Sequence, residues 1–267
     1  MAKLFHHDAA DDWVRFGDTD PYFGVLSDAK YRGRALESDV QQEFFSSGQR
    51  HVGLLMTQLE QCFGPVRRGS ALDFGCGVGR ISQALGKEFA SVVGLDVSPG
   101  MLAEARKNAA AGGMSHIEYR ESTGPDAIEA RRFDLVHSFI VLQHIPVEVG
   151  EPLIERLVAA VKPGGIGALH VTITPAERPR LVTVRNAVKR NRLLRILGNL
   201  ALGRAWDTPA MEMNCYAPER TVEILARHGI ERFYNVRVDD WGSIGLFYLF
   251  RREAEGTGAS PWSNPRT

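Results

Sequence analysis

The strongest constraint on the fold lies in Leu72-Asp73-Phe74-Gly75-Cys76-Gly77-Val78-Gly79-Arg80, an apolar run followed by three glycines at alternate positions. Glycine lets a chain turn through conformations closed to other residues and lets its backbone approach a ligand closely. A helix that starts at such a turn points free N–H groups outward. The run therefore predicts a buried strand, a tight turn and a helix start, with a ligand crevice at the strand's carboxyl end.

The pattern beyond Ser70 alternates strand and helix, which predicts a mostly parallel sheet covered on both faces. Strands are expected over 71–74, 91–96, 117–121, 133–139, 166–173, 233–239 and 245–251. Helices are expected over 80–89, 147–161 and 218–228, with another capped by Ser98, begun by Pro99 and stopped by Gly112-Gly113. Lys162-Pro163-Gly164-Gly165 reads as the turn before the fifth strand. The expected architecture is α/β, doubly wound around a seven-stranded sheet over residues 70–252. Residues 1–69 read as a helical cover, with Ser27 capping a short helix through Tyr31 and a longer helix over 38–62. Residues 253–267 read as a flexible polar tail.

The segment over about 175–213 is too long for a simple connection and reads as an inserted lid. From Arg178 to Arg204 it holds eight basic residues and no acid, and Leu181, Val184 and Val188 recur at helical spacing before Leu193, Ile196, Leu197 and Leu200. This predicts a basic amphipathic helix pair. One reading is a solvated charged face over packed leucines. The other is contact with an anionic substrate, a carrier or a membrane surface.

Lysine plus arginine balance aspartate plus glutamate at 32 each, so no global field draws the chain to nucleic acid. No apolar stretch is long enough to span a bilayer. The first twelve residues, His6 and His7 included, read as a frayed polar end with no signal for secretion. Three cysteines without a C-x-x-C pair suit a reducing cytoplasm.

The glycine spacing is G-x-G-x-G, and Arg80 stands where a dinucleotide fingerprint has its third glycine, which disfavours a dehydrogenase. Asp96 ends the next strand about twenty residues on, placed to accept hydrogen bonds from two ribose hydroxyls. The set as a whole resembles the class I methyltransferases that use S-adenosylmethionine (SAM). The run 72–80 is similar to that family's first motif, and Val93-Gly94-Leu95-Asp96-Val97-Ser98 to its second. Phe133-Asp134-Leu135-Val136 with Leu142-Gln143-His144-Ile145-Pro146 resembles its fourth-strand region. The resemblance implies that Asp73, Gly75, Cys76 and Gly77 surround the methionine part of SAM, that Asp96 binds the ribose, and that Val97 and Met101 enclose the adenine. Phe139 is placed beside the same cofactor. The acid that often receives the adenine amino group is replaced by Glu121-Ser122-Thr123-Gly124, where Thr123 is the substitute and Asp126 the alternative. Cys76 reads as a small residue permitting close approach, not as a reactive thiol.

On the acceptor side, His144 is either a general base or a group that orients the following helix. Gln143 is placed at substrate or cofactor. Tyr22, in the aromatic cluster with Trp13 and Phe16, either touches substrate or anchors the cover. His137 and His170 lie in apolar strands and read as core histidines. The implied activity is methyl transfer to a hydroxyl or amine of a small or medium-sized, or carrier-linked and anionic, molecule, with S-adenosylhomocysteine as product. The alternative is a SAM-binding regulatory or scaffold protein. A base-amino methylase is disfavoured because Ser138-Phe139-Ile140-Val141 lacks the Asn/Asp-Pro-Pro-aromatic motif.

Overall fold

A computed structural model describes residues 9–122, 124–176, 179–240 and 242–253. Seven strands form one sheet in the order β3-β2-β1-β4-β5-β7-β6. They are β1 (Ser70–Phe74), β2 (Ser91–Asp96), β3 (Ile117–Glu121), β4 (Phe133–Ser138), β5 (Val161–Thr174), β6 (Phe233–Asp240) and β7 (Ser243–Arg251). The first five run parallel, and β7 pairs antiparallel with both β5 and β6. The order reverses at β1 and β4, which opens a crevice at their carboxyl ends.

Alternation along the strands feeds two cores. Ala71, Leu135 and Ala168 face one apolar cluster with Leu59 and Leu85, while their neighbours Leu72, Val136 and Leu169 face another with Ile154 and Leu157. Because both faces are covered, the central strands read as continuous apolar runs. The helices of this domain are α4 (Arg80–Gly86), α5 (Pro99–Ala111), α6 (Val147–Ala160) and α9 (Pro218–Arg227). At α5 the Ser98 side chain accepts a hydrogen bond from the Met101 amide at 3.3 Å, and Pro99 begins the helix, as its sequence predicts.

The fifth strand departs from expectation. It begins at Val161, not at Ile166, and Lys162-Pro163-Gly164-Gly165 is an irregularity within it. Phe133 pairs with Val161 and Leu135 with Ile166, so the strand bulges between them. A Cβ at Gly165 would sit 3.0 Å from the Phe133 carbonyl oxygen, which explains the glycine.

The cover comprises α1 (Ala9–Thr19), α2 (Pro21–Val25), a 3-10 turn at Ala29–Tyr31 and α3 (Ser38–Phe63). The side chain of Asp28, not of Ser27, caps the short turn. The polar beginning is helical from Ala9, and Asp12 within it is buried. His6 and His7 lie outside the described residues, as does the tail beyond Glu253. A third apolar cluster of Phe16, Tyr22, Tyr31, Phe44, Val78 and Met101 joins the cover to the glycine turn and α5.

The insertion forms α7 (Pro179–Arg190) and α8 (Arg192–Ala201). Its orientation corrects the reading of leucines packed beneath a solvated charged face. Leu181, Val184, Leu193, Leu197 and Leu200 are exposed. Arg190 instead reaches buried Glu212 at 3.0 Å, and Arg195 reaches buried Asp12 on α1 at 2.6 Å. Arg15 on α1 also pairs with Asp207, and Ser27 Oγ donates to Met211 Sδ at 3.3 Å, so insertion and cover are tied together. No helix among the described residues is long and apolar enough to cross a membrane.

Candidate active site

At the end of β1 the amides of Gly75 and Cys76 both donate to the Leu95 carbonyl, at 2.8 and 3.0 Å, which folds the chain back against β2. Gly75 and Gly77 adopt φ of 73° and 52°. A Cβ at Gly75 would meet a Val141 methyl at 2.3 Å, and one at Gly77 would meet a Val25 methyl at 2.4 Å. Both positions therefore require glycine for conformation and for space.

Asp96, at the carboxyl end of β2, accepts from the Gly77 amide at 2.8 Å and from the Ser98 amide at 2.9 Å. Burial pushes its carboxyl up, and these two amides oppose the shift. The acid thereby fixes the turn and holds a preset orientation at the crevice. Asp73 lies deeper. Its carboxylate accepts from Ser82 Oγ at 2.6 Å and from His137 Nδ1 at 3.1 Å. Cys76 is buried, and burial pushes its thiol well up, which keeps it unreactive.

A cavity of about 830 Å³ runs from this turn to the insertion. Asp73, Gly75, Cys76, Gly77, Asp96, Val97, Met101 and Phe139 all line it, together with Gln143 and His144. Its volume lies toward the upper end of the range for small-molecule sites, room for two adjacent ligands. Ser122 and Gly124 line the edge next to Val97, while Thr123 between them lies outside the described residues. Asp126 is excluded from the site, because its exposed side chain pairs with Arg156 at 2.8 Å.

Tyr22 is a correction. It is buried away from the cavity, and its hydroxyl donates to Glu104 at 2.8 Å while its ring packs on Phe44. It anchors the cover. Trp13 of the same aromatic cluster does line the cavity and packs at a tilt against the His144 ring, with centroids 4.9 Å apart.

His144 lies in a 3-10 turn, Leu142–His144, just after β4. Its Nδ1 is 2.7 Å from the Glu212 carbonyl oxygen, to which only a protonated nitrogen can donate. In the neutral ring this leaves Nε2 as the basic nitrogen. Gln143 is buried; its side-chain Oε1 accepts from Thr172 Oγ1 at 2.9 Å, and its backbone carbonyl accepts from the Asn214 backbone N–H at 2.6 Å. It thus ties β5 and the insertion's return segment to the site. Ile140, a β-branched residue at φ 54°, lines the cavity close by. Such backbone strain is concentrated at functional sites.

Other lining residues take up positions that the sequence reading does not assign to the site. Arg80 is buried with its Nη1 3.3 Å from Ser47 Oγ, and its Nε has no hydrogen-bond partner. Burial pushes its guanidinium down to about 10. Beyond His144, the wall comes from Val182 and Arg185 of α7 and from Glu212. These converge only through tertiary folding, so no local spacing announces them.

A sheet of this order with a G-x-G-x-G turn on β1 and an acid ending β2 defines the class I methyltransferase fold. Residues 71–165 match the family model described as a methyltransferase domain. The chain is 35% identical over 101 residues to the ubiquinone biosynthesis O-methyltransferase of Actinobacillus pleuropneumoniae, covering 36% of this chain and 42% of that one. It is 38% identical over 104 residues to the enzyme of the same name from Methylobacterium nodulans, covering 38% and 40%. The chain thus matches under half the length of these curated relatives. A crystal structure of magnesium protoporphyrin IX methyltransferase from Synechocystis, with SAM bound, superposes with a TM-score of 0.57 at 17% identity, over 92% of this chain and 98% of that one. That likeness is one of fold.

Proposed function

We propose that the chain transfers a methyl group from SAM to a hydroxyl or amine of a small or medium-sized molecule. The observation that carries this reading is a single cavity that joins the glycine turn and Asp96 to a chamber beside His144. The donor set suits the cofactor. Asp96 offers carboxylate lone pairs where ribose hydroxyls would lie, and Val97 and Met101 offer apolar faces to adenine. The orphaned Arg80 Nε offers a cation for the methionine carboxylate. Asp73, Gly75, Cys76 and Gly77 surround the remainder of that chain, with Phe139 beneath, and Thr123 is assigned to the adenine amino group.

SAM supplies an electrophilic methyl group when bound. The protein's own task is to align the acceptor and to receive its proton. His144 Nε2 would receive the proton of the acceptor oxygen or nitrogen. The Glu212 carbonyl holds the opposite nitrogen protonated and keeps the ring turned. Gln143 positions the acceptor. The three free cysteines fit a reducing, cytoplasmic setting.

Calorimetry tests the assignment. SAM and S-adenosylhomocysteine should bind, and NAD should not. Asp96→Ala removes a charged acceptor worth about 1.5–3 kcal/mol, roughly 10- to 100-fold in affinity. Unchanged SAM affinity in a folded Asp96→Ala protein would remove the cofactor assignment. Binding without turnover of any hydroxyl or amine acceptor would leave a SAM-binding scaffold.

A further inference from the structure

The insertion is built with its apolar side outward. Val184 on α7 is 63% exposed and Leu197 on α8 62%, with Leu181, Leu193 and Leu200 similarly bare. A soluble surface scatters such residues singly, and a continuous helical stripe of them marks a contact face. Trp206, just beyond α8, is 54% exposed in the same segment. Burying these side chains inward would have been the ordinary outcome of their helical spacing. Instead Arg190 and Arg195 take the inward positions, held by Glu212 and Asp12.

The outward side also carries charge of one sign. Arg192 and Arg204 are exposed and make no ion pair among the described residues. No acid occurs between Arg178 and Arg204 to offset them. The face therefore offers hydrocarbon, an indole and arginine together. That combination matches a lipid surface bearing negative headgroups, where leucines enter the acyl boundary, tryptophan sits at headgroup level and arginines meet phosphates. A second copy of the chain fits poorly, because two such faces would oppose arginine to arginine.

We infer that α7 and α8 form a docking surface for an anionic lipid bilayer. The global charge balance does not oppose this, because the surface is local and screening limits the field to about 8 Å. The other side of α7, through Val182 and Arg185, lines the cavity. Docking therefore brings the cavity to the level of the headgroups.

The test is co-sedimentation of the full chain with vesicles of phosphatidylcholine alone and of phosphatidylcholine with phosphatidylglycerol. No methyl donor is present, so the outcome is independent of the methyl-transfer reading. The chain should pellet with the anionic vesicles, and added salt should weaken the binding. Arg192→Gln with Arg204→Gln should weaken it by about 5-fold per charge, roughly 25-fold together. Leu193→Gln, Leu197→Gln and Leu200→Gln together should abolish it, with an unchanged melting temperature because these side chains are exposed. Should that triple variant fail to fold, the arginine pair alone decides. Equal binding to both vesicle types, or none to either, overturns the inference. So does a concentration-dependent dimer in light scattering that the leucine variant disperses, since the face would then belong to a second copy.

Discussion

A histidine relay, with His137 and His170 buried and His51 half-buried, should make the fold sensitive to mild acid. His137 Nδ1 faces Asp73 at 3.1 Å, and His137 Nε2 lies 3.0 Å from His51 Nε2 on α3. In a neutral relay His137 donates to the carboxylate and accepts from His51. The His51 ring rests on Phe139 at 4.3 Å, and His170 packs on the same phenyl ring at 5.1 Å. Burial pushes His51 down to about 2, with His137, Arg80 and His170 adding to the effect. Burial pushes His170 down to about 4, aided by His137 and His144.

In the unfolded chain both rings titrate near 6.5. Between that value and the folded values the unfolded state binds protons that the native state refuses, so stability falls as pH falls. The contribution is fully present above about pH 7.5 and is lost progressively through 6.5 and below. Each ring contributes up to about 1.4 kcal/mol per pH unit. From pH 7.5 to 5.5 the pair should therefore remove about 2.5–3 kcal/mol, a large share of the ~5–15 kcal/mol typical of a domain. The window lies above the usual carboxylate range, and His228, which burial also pushes down, adds slope of the same sign. Urea denaturation at pH 7.5, 6.5 and 5.5 measures it through the midpoint at constant slope. His51→Asn and His170→Asn should each flatten the pH dependence by about half. Stability that is level over this range, or a slope unchanged in both variants, would refute the argument.

Two further outcomes follow from the site. Gly77→Ala forces a methyl onto Val25 at φ 52° and should cost about 1–2 kcal/mol from backbone conformation alone, with weakened S-adenosylhomocysteine binding by calorimetry. His144→Ala should lower turnover about 100-fold or more while SAM affinity stays near that of the wild type, and normal turnover in a folded variant would leave His144 only a structural role.

The sheet was legible because each of its central strands is a short apolar run closed by glycine, proline or a capping residue. Ala71 to Phe74 before Gly75, and Val92 to Asp96 before Ser98-Pro99, state both the strand and its end. The cofactor turn was legible for a related reason: Gly75 and Gly77 answer backbone demands that no other residue meets. Lys162-Pro163-Gly164-Gly165 was misread because proline and glycine punctuate turns and bulges alike. Only the partner strand, through Phe133 and Leu135, distinguishes the two. Tyr22 was ambiguous because an aromatic ring serves packing and recognition equally, and its partners Glu104 and Asn108 lie 82 and 86 residues away. His51 gave no signal at all, since one histidine on an amphipathic helix says nothing about a second histidine 86 residues on.

The inversion of the insertion exposes the deeper limit. Periodicity reports which residues share a helical face, and transfer energies then favour the leucine face inward. That inference fails when distant carboxylates stand ready for the other face. Asp12 lies 183 residues from Arg195 and is buried, and Glu212 lies 22 residues from Arg190 and is buried too. Removing either arginine would leave a buried carboxylate without that partner, at a cost of several kcal/mol. The acid on α1 and the arginine on α8 therefore meet only when cover and insertion are both in place. The cavity between them takes its walls from that joint closure, with Trp13 from one side and Val182 and Arg185 from the other. The leucines turned outward are the cost of that arrangement, and a lipid surface is the environment that would offset it.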